Sequence, residues 1–200
     1  MRSLVAITLI LSASAAGAQD QTLISDNATH GGYGGPIVKV TRFAGKDAVL
    51  IGGRGGFVVN GTYAFGGGGA GWTSDKVRGS DAALYDLSVS YGGVDFEYIH
   101  RTHSVVHPSV LLSLGGGGAT QKSAAGTQQD DSFLFAEPGL HLEVNVARGF
   151  RMAAGVSYRI VSGLDLAAFS NTDIRGVSAV LTFKFGKWDE TEAAGSRQRP

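Results

Sequence analysis

Between Ser132 and Val161 the chain alternates so regularly that nearly every residue can be given a face. Leu134, Ala136, Pro138, Leu140, Leu142, Val144 and Val146 fall on one side, and Glu137, Gly139, His141, Glu143 and Asn145 on the other. Beyond Ala147-Arg148-Gly149, a second face of Phe150, Met152, Ala154, Val156, Tyr158 and Ile160 opposes Arg151, Ala153, Gly155, Ser157 and Arg159. This period of two predicts a β-hairpin, with Gly149 supplying a positive φ at its turn. Each arm exceeds the common globular strand of about five or six residues and reaches the roughly 9–11 that cross a bilayer at a tilt.

The same pattern predicts six more strands. Residues 37–43 set Val38 and Val40 against Lys39 and Thr41, and residues 49–59 set Val49, Ile51 and Phe57 against Arg54. Asn60-Gly61 is a strong hairpin signal, leading into a third strand over 62–73. In the fourth, 84–100, the parity shifts: Leu87, Val89 and Tyr91 are apolar before Gly92-Gly93, and Val94, Phe96 and Tyr98 after it. A β-bulge at the glycine pair would restore a single apolar face. Residues 106–119 set Val106, Val110, Leu112 and Leu114 against His107, Ser109 and Ser113, and residues 174–188 set Val177, Ala179, Leu181, Phe183 and Phe185 against Ser178, Thr182 and Lys184.

Eight consecutive strands make an all-β, up-and-down antiparallel meander. The links after the second, fourth and sixth strands are short. Those after the third, fifth and seventh, at 74–81, 120–131 and 162–173, are longer and polar. Short turns at one end and long loops at the other are the pattern of a transmembrane β-barrel. No long segment carries a helical apolar stripe, which excludes an α/β reading.

The ends of the chain add a compartment. Met1-Arg2-Ser3, the apolar run from Leu4 to Leu11 and Ala16-Gly17-Ala18 predict a signal peptide over 1–18. Residues 19–35 read as a flexible lead-in, 36–188 as the barrel and 189–200 as a disordered periplasmic tail. Lys and Arg together number 17, as do Asp and Glu, so no field attracts nucleic acid. With no cysteine, neither a disulfide nor a thiolate metal site is available.

Charge decides which face looks inward. The polar faces carry matched signs, and Arg54, Asp86, Asp95, Glu97, Glu137, Glu143, Arg151, Arg159 and Lys184 are expected to form an interior ion-pair network. A small closed barrel has room for side chains and little else, so charges inside it must be paired. The 31 glycines are about twice average usage. Those on the polar faces, such as Gly52, Gly56, Gly139 and Gly155, either make room for a charged side chain from across the barrel or relieve strain where strands coil. Tyr63, Trp72, Tyr91, Tyr98, Phe150, Tyr158 and Phe185 sit on apolar faces near strand ends, as interfacial girdles would.

The signal peptide, the eight-strand meander and the final strand GVSAVLTFKFGKW resemble small bacterial outer-membrane β-barrels of the OmpA/OmpX type. The stretches YGGPIVKVTRF, LIGGRGGFVVN, YGGVDFEYI and FAEPGLHLEVNVARGFRMAAGVSYRIV are similar to a glycine-rich branch of these proteins. The resemblance implies an integral outer-membrane barrel without catalysis or cofactor, with a structural or surface-interaction role. Its partners would be outer-membrane lipid, the barrel-assembly machinery and an extracellular ligand at loops 74–81, 120–131 and 162–173. An aromatic on the last strand, Phe185 or Trp188, would be the assembly signal, although twelve residues follow Trp188.

Three motifs offer other chemistry. Residues 66–71 satisfy G-x-G-x-x-G but lead into no helix, so they do not form a dinucleotide site. His107 and Ser109 could serve an outer-membrane lipid hydrolase, with Glu137 or Glu143 orienting the imidazole. Their inward parity points instead to polar packing. His100, His103 and His107 have helical rather than strand spacing for zinc, and no metal is expected. A soluble, lipocalin-like periplasmic barrel carrying an apolar ligand would reverse every face assignment.

Overall fold

The computed structural model describes residues 29–190. The predicted signal peptide, most of the lead-in and the last ten residues lie outside the described residues. Strands β1 (His30–Phe43), β2 (Lys46–Val59), β3 (Tyr63–Arg78), β4 (Leu84–Ile99), β5 (Val106–Ser123), β6 (Gln128–Ala147), β7 (Phe150–Ser162) and β8 (Gly176–Glu190) form one closed barrel. Every strand pairs antiparallel with its chain neighbours, and β8 closes onto β1. A single helical turn, α1 (Asn171–Ile174), precedes β8.

The turns follow local chemistry. Asn60 and Gly61 both adopt positive φ, 52° and 62°, the backbone of a tight hairpin whose twist matches its strands. Ala44-Gly45 does the same between β1 and β2, and Gly149 (φ 76°) turns β6 into β7. The glycine-rich GGYGG, expected to be flexible, instead opens β1, where it pairs with the glycine-rich centre of β2. Glycine is needed here for close approach of backbones: a Cβ on Gly52 or Gly93 would collide with the carbonyl of Gly69 or Leu114 on the next strand. Tight sheet coiling, more than space for distant side chains, explains the polar-face glycines.

Two of the three predicted long loops are mostly strand. β3 continues to Arg78, and β5 and β6 continue past the rim of β7 to a tight connection at 124–127. The upper parts of β3 to β6 thus project as a four-stranded sheet above the β7 and β8 ends.

Outward positions are apolar, with Val49, Ile51, Phe57, Leu134, Leu140, Val156 and Val177 all at least half exposed. Phe57, Tyr63, Phe65, Phe96, Tyr98, Phe150 and Phe185 gather towards the short-turn end, where the Tyr63 and Tyr98 rings meet at a tilt and Phe150 lies on Phe185. The girdle is uneven: Tyr158, beside Val177 towards the loop end, stays outward as expected, whereas Tyr91 and Trp72, also expected on it, turn inward. No bulge exists at Gly92-Gly93, where the β3 and β5 registers run through unbroken. The parity shift has another cause: the interior itself changes from polar to apolar along the axis. Towards the loops, Phe43, Leu50, Leu87, Val89, Phe133, Phe135 and Val161 pack with Leu164, Leu166, Phe169 and Ile174 of the 163–175 loop. That loop folds over the mouth and is tied down by Ala44 N–H to the Asp173 carbonyl, Ser80 N–H to the Ala168 carbonyl and Ala168 N–H to Gln121 Oε1.

Candidate functional site

Beneath the apolar plug the barrel holds its charges in two clusters. The cluster nearer the turns centres on Lys184 of β8, whose Nζ donates to both oxygens of Glu97 at 2.9 Å and to Glu143 Oε1 at 2.5 Å. Arg54 of β2 adds Nε to Asp95 at 3.1 Å and Nη2 to Glu97 at 3.4 Å. Hydroxyls add to this: Ser109 and Tyr33 donate to Glu97, and Ser113 donates to Asp95, while Arg54 Nη1 and Glu143 Oε2 are buried without a hydrogen-bond partner among the described residues. His107 Nε2 lies 3.7 Å from Glu143. Inward parity on strands from opposite walls brings these groups together, and each alone would be a costly uncompensated charge.

The second cluster lies nearer the plug. Lys39 donates to Glu137 at 2.7 Å, Ser157 donates to the same oxygen, and Arg159 Nη1 donates to Tyr91 Oη at 2.8 Å. Arg159 also donates through Nε to the Ile174 carbonyl, and its guanidinium lies over Phe43 and Tyr91. It therefore joins the barrel wall to the closing loop. Between the clusters, Lys39, Arg54, Tyr91, Asp95, Leu111 and Phe135 line a cavity of about 30 Å³. That is space for about one water molecule.

Eight long-paired strands with apolar groups outside and matched ions within are an arrangement that water would not favour. No family model and no curated protein matches the sequence. Among solved structures, the chain is similar to neisserial surface protein A, with a TM-score of 0.50 and 15% identity over 82% of this chain and 99% of that one. It is similar also to the N-terminal β-barrel domain of Pseudomonas aeruginosa OprF, with a TM-score of 0.53 and 17% identity over 80% of this chain and 98% of that one. The fold is that of the eight-stranded outer-membrane β-barrels.

Within this outer-membrane-type barrel the expected network divides. Arg54, Asp95, Glu97, Glu143 and Lys184 meet in one cluster, and Glu137 and Arg159 belong to the other. Asp86 is corrected: it lies exposed on the outer face of the projecting sheet, because β4 keeps its parity through the glycines. Arg151 sits at the turn-end mouth, where it bonds Thr102 Oγ1 and stacks on Trp188 at 3.8 Å. Phe185 points outward, whereas Trp188 is buried against Tyr33.

Sequence reasoning missed the phenols. An unbroken count from Glu97 through Asp95 and Gly93 places Tyr91 inside, and the assumed bulge concealed it. Assigning residues 19–35 to a lead-in hides Tyr33, which lies in β1. The other motifs assemble only in part. His107 bonds the Ser104 carbonyl and lies near Glu143, the acid expected to orient it, but Ser109 donates to Glu97, and His107 and Ser109 are both buried inside the barrel, away from the outer apolar face. His100 and His103 are exposed while His107 is interior, and among the described residues no His, Cys, Asp and Glu group is placed to hold a metal. The reversed-face barrel is contradicted as well, since Arg54 and Glu137 are buried and Leu140 and Val156 are exposed.

Proposed function

We propose that this protein is an integral bacterial outer-membrane protein without catalysis, whose filled barrel anchors an ordered surface for interactions outside the cell. One observation carries the reading: apolar side chains cover the outside while buried ions fill the inside. In water such a surface would be an aggregation hazard; in lipid it is the favourable arrangement. The wall-to-wall packing supports an anchor and not a pore, since eight strands enclose only side chains. The exposed part is the projecting sheet of β3 to β6 with the strapped 163–175 loop. Its order favours a preformed binding face, which avoids the entropy cost of organising flexible loops on contact.

Cell fractionation with gels of unheated and heated samples tests the reading. A membrane-bound protein whose mobility shifts on heating is expected. Recovery in the soluble periplasm with no shift would overturn it. Protease on intact cells tests orientation, with cleavage at Lys122 and protection at Arg101 expected.

A further inference from the structure

Arg159 stands where the charged interior meets the apolar plug, and it is fully buried. Its guanidinium carbon lies 4.6 Å from the centre of the Phe43 ring and 5.1 Å from that of Tyr91, so the rings hold the flat group and leave its N–H edges to find acceptors. Nη1 donates to the Tyr91 hydroxyl and Nε to the Ile174 carbonyl at 2.7 Å, whereas Nη2 is buried with no partner among the described residues. Nε and Nη2 share one edge of the planar group, the fork that receives a carboxylate through two parallel bonds. A lone carbonyl oxygen fills half of it.

The surroundings are also short of an anion. Lys39 and Arg159 face one carboxylate, Glu137, which accepts from Lys39 and Ser157 through a single oxygen and makes no bond to Arg159. The carboxylates of the other cluster are held by Arg54 and Lys184. What half-fills the fork is the closing loop: Leu164, Leu166, Phe169 and Ile174 occupy a cup walled by Phe43, Leu50, Val89, Phe135 and Val161. The loop adds no strand to the barrel, and among the described residues its main chain meets other main chain only at Ala44 and Ser80. Glycines bound it, Gly163 with a φ of 101° and Gly176, and give it the freedom of a hinge.

We infer that residues 163–175 sit in a binding site for a single-chain aliphatic carboxylate. Its head group takes the Nε–Nη2 fork of Arg159 in place of the Ile174 carbonyl, and its chain takes the cup in place of Leu164, Leu166 and Phe169. The inference goes beyond the anchoring role above and concerns the interior alone. One negative charge balances the local excess, which a phosphomonoester at about −2 would overshoot. One chain is what a closed eight-strand lumen admits. The inward stretch of β6 from Glu137 to Phe133 gives that chain about 13 Å along the strand, at about 3.3 Å per residue.

Full-length W188F protein in phosphatidylcholine nanodiscs keeps one tryptophan, Trp72, whose ring meets Phe43 at the cup. It is titrated with ω-bromododecanoate, at a pH that keeps the acid ionised, and with ω-bromododecanol, and bromine quenching of Trp72 is read. Saturable quenching by the carboxylate is expected, with half-saturation about tenfold weaker for the alcohol, and for the carboxylate on R159Q, equivalent to losing one charge-assisted contact. Phe169→Ala keeps the fork and loosens its competitor, so it should bind the carboxylate more tightly. Quenching that never saturates, that the alcohol matches, or that is unchanged by R159Q or by F169A overturns the inference. Heat-shifted mobility shows that R159Q still closes; if it does not, the alcohol and F169A comparisons decide.

Discussion

Replacing Lys184 with methionine tests whether the interior is held by charge balance. The side chain is fully buried, and its Nζ makes three short contacts to Glu97 and Glu143. Summing three charge-assisted hydrogen bonds would overstate the loss, because Ser109, Tyr33 and Arg54 still donate to Glu97. What remains is an imbalance: Asp95, Glu97 and Glu143 against Arg54. Breaking a buried pair by removing one partner costs about 3–5 kcal/mol, and K184M is expected in that range. E97Q should cost only about 1–3 kcal/mol, since it leaves Arg54 and Lys184 facing Asp95 and Glu143 and loses mainly hydrogen-bond strength. The double variant K184M/E143Q should recover at least half of the K184M loss, although it removes more of the native contacts. Urea unfolding in vesicles at neutral pH, read as a midpoint change at constant slope, measures all three. A K184M loss below about 1 kcal/mol, or no recovery in the double variant, would refute charge balance as the organising force.

Other expectations address the outside, the plug and the loops. Leu140→Arg places a cation in the middle of the outward apolar band and should cost about 2–4 kcal/mol by the same unfolding assay, whereas Asp86→Arg on the projecting sheet should stay within about 0.5 kcal/mol. Phe169→Ala removes the ring that packs against Tyr85 and should free the 163–175 loop, seen as faster tryptic cutting at Arg175 with the barrel itself still heat-modifiable. In the 79–83 connection, the Tyr85 hydroxyl and the Ala83 N–H hold the Asp81 carboxyl below its ordinary value of 3.8. A depressed carboxyl stabilises above the unfolded value and loses that support as pH falls through the folded one. Amide protection of the connection should therefore drop on acidification below about pH 4, and Tyr85→Phe should move the drop to higher pH.

The barrel was legible because most strands are polar on one face and apolar on the other along their whole length, so Leu140, Val156, Glu143 and Arg54 could each be placed by counting. β4 breaks that premise. Its inner face carries Glu97 and Asp95 near the turns and Tyr91, Val89 and Leu87 near the loops, so a reader who assumes one apolar face must invent a bulge. The plug supplying the second environment comes from residues 164–174, distant in sequence and without a period. For the same reason alternation places Lys39 on the inner face but cannot join it to Glu137, from which 98 positions separate it. Alternation reports which side of a sheet a residue occupies; it is silent about what lies across the lumen.

Lys184 and Glu97 stand on strands half a circumference apart, and their acidic and basic companions come from β2 and β6. A sheet that had not yet closed would therefore carry three carboxylates with only Arg54 to answer them until the final strand arrived. Such a half-built cylinder has no comfortable resting point inside hydrocarbon, so the last strand must dock in step with insertion, making assembly close to all-or-none.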